Sequence, residues 1–247
     1  FAAIYDKAND TYWIGDRFKS LVKIYPDDSR EEILFNGPYN SNNFEIKALG
    51  EQIWVASGGY SSTWAKNWLN DGVYYYINHE WNNINKRNTD AFDTISDFVS
   101  VAIDPRNHSK VYVGSYHKGL LEFENFEVKK IYNHTNSSLG LLSGYNYVYV
   151  TSLDFDSKNN LWVANHGSDK MLSVKTIDNN WYSFNIGSGY ISKLVVDDND
   201  YKWILTRDGN FIVYNDNNTI SNKSDDQHKT VGKTIGQGGL HSEANCM

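Results

Sequence analysis

The chain has one cysteine, Cys246, so no intrachain disulfide can form and no cysteine zinc cluster exists. No apolar run reaches the roughly 18 residues a spanning helix needs, which leaves no candidate for a direct membrane span. Three prolines and 18 glycines are too few for a collagenous or low-complexity chain. Cations are also scarce. Twenty-three Lys and Arg against 30 Asp and Glu give a net charge of −7, and nucleic-acid binding needs a basic footprint that such a chain does not offer. Apolar residues nowhere recur at helical spacing over a sustained stretch, so helix is at most a minor component. No signal peptide is visible. Phe1 begins inside a strand pattern and both ends read as cut, as expected of a mature fragment or an excised domain.

Aromatic residues are plentiful: 15% of 247 residues, with 18 tyrosines and 8 tryptophans. Such side chains pack well on half-buried pleated surfaces and favour strands. The stretch 151–165 shows how they are used. Leu153 and Phe155 alternate with Ser152, Asp154 and Asp156, a turn-forming Asp156-Ser157-Lys158-Asn159-Asn160 follows, and Leu161-Trp162-Val163-Ala164 reads as a second strand. Four more copies overlay it, centred on Trp13, Trp54, Tyr112 and Trp203. The anchors at 13, 54, 112, 162 and 203 are separated by 41, 58, 50 and 41 residues. A repeat of that length with four short strands predicts an all-β fold, a β-propeller of four-stranded antiparallel blades.

About five blades are expected in one domain over 1–247, at 1–38, 39–90, 91–139, 140–187 and 188–236, with 237–247 leading into a further or closing blade. In the fifth repeat the polar run 215–229 hides the fourth strand and reads as a loop or disorder.

Leu161-Trp162-Val163-Ala164-Asn165-His166-Gly167 and Lys202-Trp203-Ile204-Leu205-Thr206-Arg207-Asp208-Gly209 carry a further pattern: strand, Asp, polar turn, Trp between apolar residues, then Asn or Arg and Gly. It resembles the two-component-regulator type propeller repeat. Gly238-Gly239-Leu240-His241-Ser242 looks like the inter-blade linker of that repeat, with His241 where proline is usual. In Bacteroidetes such repeats occur in periplasmic glycan sensors of hybrid two-component systems and in PorZ-like proteins of type IX secretion. The irregular repeats and the long segment 46–83 are more similar to the second group. The resemblance implies an exported, non-enzymatic accessory protein at the cell surface, outer membrane or periplasm. Its partners would be other secretion-system proteins, or a carbohydrate ligand such as an anionic lipopolysaccharide.

In a propeller, the connections between second and third strands (B–C) share a face with the links between blades. The B–C connections here are expected at 16–18, 57–71, 115–118, 165–170 and 206–209. They place Arg17, Tyr60, Trp64, Trp68, Tyr116, His117, Lys118, His166, Lys170 and Arg207 as candidates for one ligand- or partner-binding mouth. The connection 57–71 is longer than a hairpin needs, and long loops in compact domains tend to be functional. Tyr60, Trp64 and Trp68 offer a stacking surface for a sugar or a peptide. Alternatively Trp64 and Trp68, at i and i+4, form one face of a helical turn against their own blade.

The cations Arg17, Lys118, Lys170 and Arg207 could hold phosphate or carboxylate, or pair with adjacent Asp16, Asp169 and Asp208. His117 and His166 on neighbouring blades also suit proton transfer. Streptogramin lyases are propellers that use histidine with magnesium, but no carboxylate pattern accompanies the pair here. The Asp-rich A–B turns lack the glycine and distal glutamate of a calcium loop and read as turn chemistry. No cofactor, metal site or catalytic residue is therefore expected.

Overall fold

The computed structural model describes residues 2–16, 20–33, 36–187 and 190–231. Among them the period-two patterns become strands, and no α-helix is present beside a single 3-10 turn at Asp90–Phe92. The segment 237–247 lies outside the described residues.

Two compact units divide the chain, Phe1–Pro38 and Tyr39–Met247. The first holds one antiparallel sheet in chain order: β1 (Ala2–Asp6), β2 (Thr11–Asp16), β3 (Ser20–Ile24) and β4 (Arg30–Ile33). Asp6 closes its first hairpin by accepting the Ala8 N–H at 3.0 Å, and Lys23 lies over the Trp13 ring at 5.3 Å.

The second unit holds four such blades. Blade two is β5 (Glu45–Leu49), β6 (Gln52–Ala56), β7 (Val73–Ile77) and β8 (Glu80–Ile84). Blade three is β9 (Phe98–Ile103), β10 (Lys110–His117), β11 (Gly119–Glu124) and β12 (Glu127–Tyr132). Blade four is β13 (Val148–Phe155), β14 (Leu161–His166), β15 (Leu172–Lys175) and β16 (Trp181–Phe184). Blade five is β17 (Ile191–Val196), β18 (Lys202–Thr206), β19 (Phe211–Asn215) and β20 (Gln227–Val231). The first strands of successive blades touch, β5 with β9, β9 with β13 and β13 with β17. First strands are therefore innermost, and the sheets stack face to face.

The expectation of a loop or disorder at 215–229 is corrected in part. Gln227–Val231 pairs with β19, from Phe211↔Val231 to Asn215↔Gln227. All five of its residues are exposed, so this outer strand had no apolar alternation to display.

The turn chemistry explains where each hairpin bends. Asp156 accepts the backbone N–H groups of Lys158 and Asn160 at 3.0 and 2.8 Å, and the Trp162 indole N–H at 2.9 Å. Asp197 does the same for Asn199, Tyr201 and Trp203. These carboxylates are occupied as structural acceptors, which fixes the anchor indole as well as the turn.

The anchors then pin one blade to the next. Trp54 meets Phe123 and Phe126 of blade three at 5.4 and 5.9 Å. Tyr112 meets Phe155 of blade four at 6.0 Å. Trp162 meets Tyr214 of blade five, also at 6.0 Å. Trp54, Tyr112 and Trp162 are buried, whereas Trp203 is 40% exposed. It keeps its Asp197 hydrogen bond, but in this unit no described blade follows blade five.

Candidate functional site

The connection 57–71 leaves and rejoins its blade through two glycines. At Gly58 a Cβ would lie 2.2 Å from the Phe98 nitrogen, and at Gly72, with φ +84°, it would lie 1.9 Å from the Ile84 oxygen. Only glycine lets the backbones approach so closely. Between them the chain is not helical, which removes the helical-turn alternative. Trp64 and Trp68 both have positive φ, 64° and 59°. Tyr60 bridges Lys66, and Trp64 donates its N–H to Ser61 at 2.8 Å.

This tight excursion carries the tryptophans away from their own blade. Trp64 stacks on Tyr60 at 4.6 Å and on His166 of blade four at 5.3 Å, with interplanar angles of 16° and 12°. The Tyr116 hydroxyl of blade three donates to the Trp64 carbonyl at 3.2 Å. Arg207 of blade five lies over the Trp64 ring at 5.6 Å and over Tyr190 at 5.9 Å, and donates to the Thr63 carbonyl at 3.4 Å. The loop from blade two thus rests on blades three, four and five. Tyr60, Trp64, Tyr116, His166 and Arg207 form one assembly.

Trp68, 56% exposed, meets His117 edge-on at 5.4 Å. It shares Lys66 with Tyr147: the ammonium sits 3.6 Å from one ring centroid and 3.4 Å from the other. Tyr147 continues the cluster through Tyr149 at 6.0 Å, and Tyr149 stacks on Tyr116 at 3.9 Å. Asp97, fully buried, clamps the loop by accepting the N–H groups of Trp68 and Leu69 at 2.9 and 3.0 Å. Burial pushes its carboxyl pKa up, against those hydrogen bonds.

Two loop assignments are corrected. Ser115, Tyr116 and His117 belong to β10, because its end also pairs with β13 (Tyr116↔Tyr149, His117↔Val148). Asn165 and His166 belong to β14. His166 is buried, and its Nδ1 donates to the Ile191 carbonyl at 2.8 Å. A carbonyl can only accept, so that nitrogen carries the proton. Burial, with Arg207 beside it, lowers its pKa from 6.5 to about 4. His117 is lowered likewise to about 4 by burial and by Lys66 and Lys118. Both imidazoles are neutral at pH 7, and they contact different tryptophans. Among the described residues no cluster of three or more His, Cys, Asp or Glu could hold a metal.

Two described candidates, Lys118 and Lys170, lie over no ring of the stack. Lys118 links β10 to β11, its N–H donating to the Ser115 hydroxyl at 3.3 Å. Lys170 lines an open depression of about 1020 Å³ between the connection 137–146 and the turn 168–170. Asp208 is engaged by Thr206 and Asn210 rather than by Arg207. Arg17 lies outside the described residues.

Lys66, Asp97, Tyr147, Tyr149 and Tyr190 complete the site and were not foreseen. The alternation Tyr145-Asn146-Tyr147-Val148-Tyr149 was the available signal, since residues two apart share a strand face.

No family model matches the chain, and no curated protein matches it. Its fold matches solved β-propellers. PorZ of Porphyromonas gingivalis, an essential bacterial surface component of the type-IX secretion system, superposes with a TM-score of 0.72 at 21% identity, covering 94% of this chain and 33% of that one. The chain thus spans about a third of PorZ. The extracellular domain of a hybrid two-component system from B. thetaiotaomicron gives a TM-score of 0.50 at 14% identity, over 85% of this chain and 26% of that one. A protein from Lactobacillus plantarum gives 0.56 at 13% identity, over 95% of this chain and 67% of that one. At these identities the likeness is one of fold. No helix among the described residues is long and apolar enough to cross a membrane.

Proposed function

We propose that this chain is a non-enzymatic binding and scaffold module of an exported, surface-located protein that is PorZ-like in role. It would serve type IX secretion and surface attachment by reading an anionic glycan, such as a lipopolysaccharide, at the mouth formed by loop 57–71. One observation carries the reading: a single loop brings aromatic rings and a guanidinium from four blades into one partly exposed assembly. Sugar rings stack on such faces, and arginine adds charge-assisted hydrogen bonds to carboxylate or phosphate. Trp68 and Tyr190, 56% and 46% exposed, supply open ring area, and Arg207 is exposed beside Tyr190. The histidines do not favour the lyase alternative, because His166 is capped by Trp64 and bonded to backbone.

The test is a titration of intrinsic tryptophan fluorescence with purified lipopolysaccharide bearing an anionic polysaccharide. Trp68→Ala and Arg207→Gln should each weaken binding by roughly tenfold, about 1.4 kcal/mol. Wild-type affinity in both variants would remove the mouth from the site. A histidine kinase elsewhere in the full-length protein would favour the glycan-sensor alternative.

A further inference from the structure

On the face where the A–B and C–D turns lie, blades three and four enclose a cavity of about 200 Å³. Lys175, at the end of β15, lines it and is only 6% exposed. Its ammonium donates to Asn179 Oδ1 at 2.7 Å and to the Tyr112 hydroxyl at 3.4 Å, both neutral acceptors. Among the described residues no carboxylate forms an ion pair with it. The two nearby carboxylates are committed elsewhere. Glu122 accepts the Tyr132 hydroxyl at 2.7 Å. Asp104 accepts the Arg106 N–H at 2.9 Å and Asn159 Nδ2 at 3.0 Å. A buried charge is ordinarily paired, since its desolvation costs several kcal/mol.

The next blade interface contains such a pair. Lys202 of blade five lies over Trp162 of blade four at 4.1 Å, as Lys175 of blade four lies over Tyr112 of blade three at 5.4 Å. Lys202, however, meets Asp216 at 2.6 Å with both side chains almost fully buried. The interface of blades three and four has the cavity and two more cations on its lining, Arg106 and Lys110, against the single carboxylate of Asp104. Asn159, on the same lining, is 7% exposed. Its Nδ2 is used on Asp104, and its Oδ1 is buried without a hydrogen-bond partner.

We propose that this cavity binds a small carboxylate with an adjacent hydrogen-bond donor, a hydroxy acid or an amino acid. The carboxylate would serve as counter-ion to Lys175 with Arg106 and Lys110, and the donor would satisfy Asn159 Oδ1. The volume equals roughly six or seven liquid waters, which suits a molecule of a few heavy atoms. Burial holds the Lys175 pKa below its ordinary value, and a bound anion would reverse that shift.

Calorimetric titration of the whole chain with glycolate, glycine, acetate and inorganic phosphate tests the assignment. Glycolate or glycine should bind saturably at one site, and whichever binds tighter identifies the donor as hydroxyl or ammonium. Acetate, without a donor, should bind at least tenfold more weakly. Lys175→Met should abolish binding, and Arg106→Gln, on an exposed side chain that leaves the core intact, should weaken it severalfold. Lys129→Met, a surface cation outside the cavity that pairs with Glu127, should leave it unchanged. Three results would overturn the proposal: no saturable binding of either probe, affinity unchanged in Arg106→Gln, or phosphate binding more tightly than both carboxylates.

Discussion

Acidification probes the assembly at His166. An unfolded histidine titrates near 6.5, and His166 in the fold titrates at about 4. Between those values the unfolded chain binds the extra proton, so stability is complete at neutral pH and falls as pH drops through the window. At about pH 5 the loss for this one residue works out to about 2 kcal/mol. The physical source is a neutral ring enclosed by Trp64, Tyr116, Tyr149 and Tyr190, with the Arg207 guanidinium close enough to oppose a second positive charge. His117, half-exposed, adds a smaller increment of the same sign. The raised pKa of Asp97 works the other way, since its uptake of a proton favours the folded chain. Comparing wild type with His166→Gln isolates the one residue, because glutamine can still donate to the Ile191 carbonyl. Denaturation midpoints at neutral pH and at about pH 5 should fall further in wild type, by about 4–8 °C in Tm for a domain of this size. An identical acid-induced loss in both proteins would refute the account of a buried neutral imidazole.

Two stability predictions concern the blade interfaces. Trp162→Ala removes a fully buried ring packed on Phe184 and Tyr214 and should cost about 3–5 kcal/mol in urea denaturation. Trp203→Ala, at 40% exposure, should cost less than half as much, and equal losses would contradict the role of anchors as inter-blade pins. Asp216→Ala strands the buried Lys202 ammonium and should cost about 3–5 kcal/mol, whereas the double variant Lys202→Met with Asp216→Leu should recover most of it. Failure of the double variant to recover would indicate that the pair contributes through more than charge neutralisation.

The blades were legible because the A–B hairpins repeat the same physics: alternating apolar residues, a turn closed by an Asp in every blade but the second, where Gly50-Glu51 makes it, and an aromatic side chain six residues after the Asp in blades four and five. β20 was hidden because an exposed outer strand is held by backbone pairing, which leaves no side-chain periodicity. The grouping of side chains proposed as a mouth was legible in outline. Loop length marked 57–71, and the B–C rule drew Tyr116, His166 and Arg207 toward it. The rule misplaced the histidines as loop residues, since nothing in Ser115-Tyr116-His117 announces that β10 continues to a second partner. The reach of Trp64 across three blades depends on positive φ at Trp64 and on the clamp at Asp97. Neither is readable from spacing, because non-glycine residues seldom adopt that conformation and the clamp joins positions 29 residues apart.

The shared edge between β10 and β13 affects how the molecule opens. Blades two and three share only isolated main-chain bonds from the connection 57–71, such as Gly58 N–H to the Phe98 carbonyl at 2.7 Å, whereas Tyr116↔Tyr149 and His117↔Val148 join blades three and four strand to strand into one eight-stranded sheet. Fraying of either blade must break that ladder as well as its own. The two are therefore expected to open as one cooperative block, with amide protons at the splice protected against local fraying of either blade. The block spans the cavity beside Lys175 and contributes Tyr116, Tyr149 and His166 to the ring stack, so both proposed recognition surfaces draw on this spliced pair of blades.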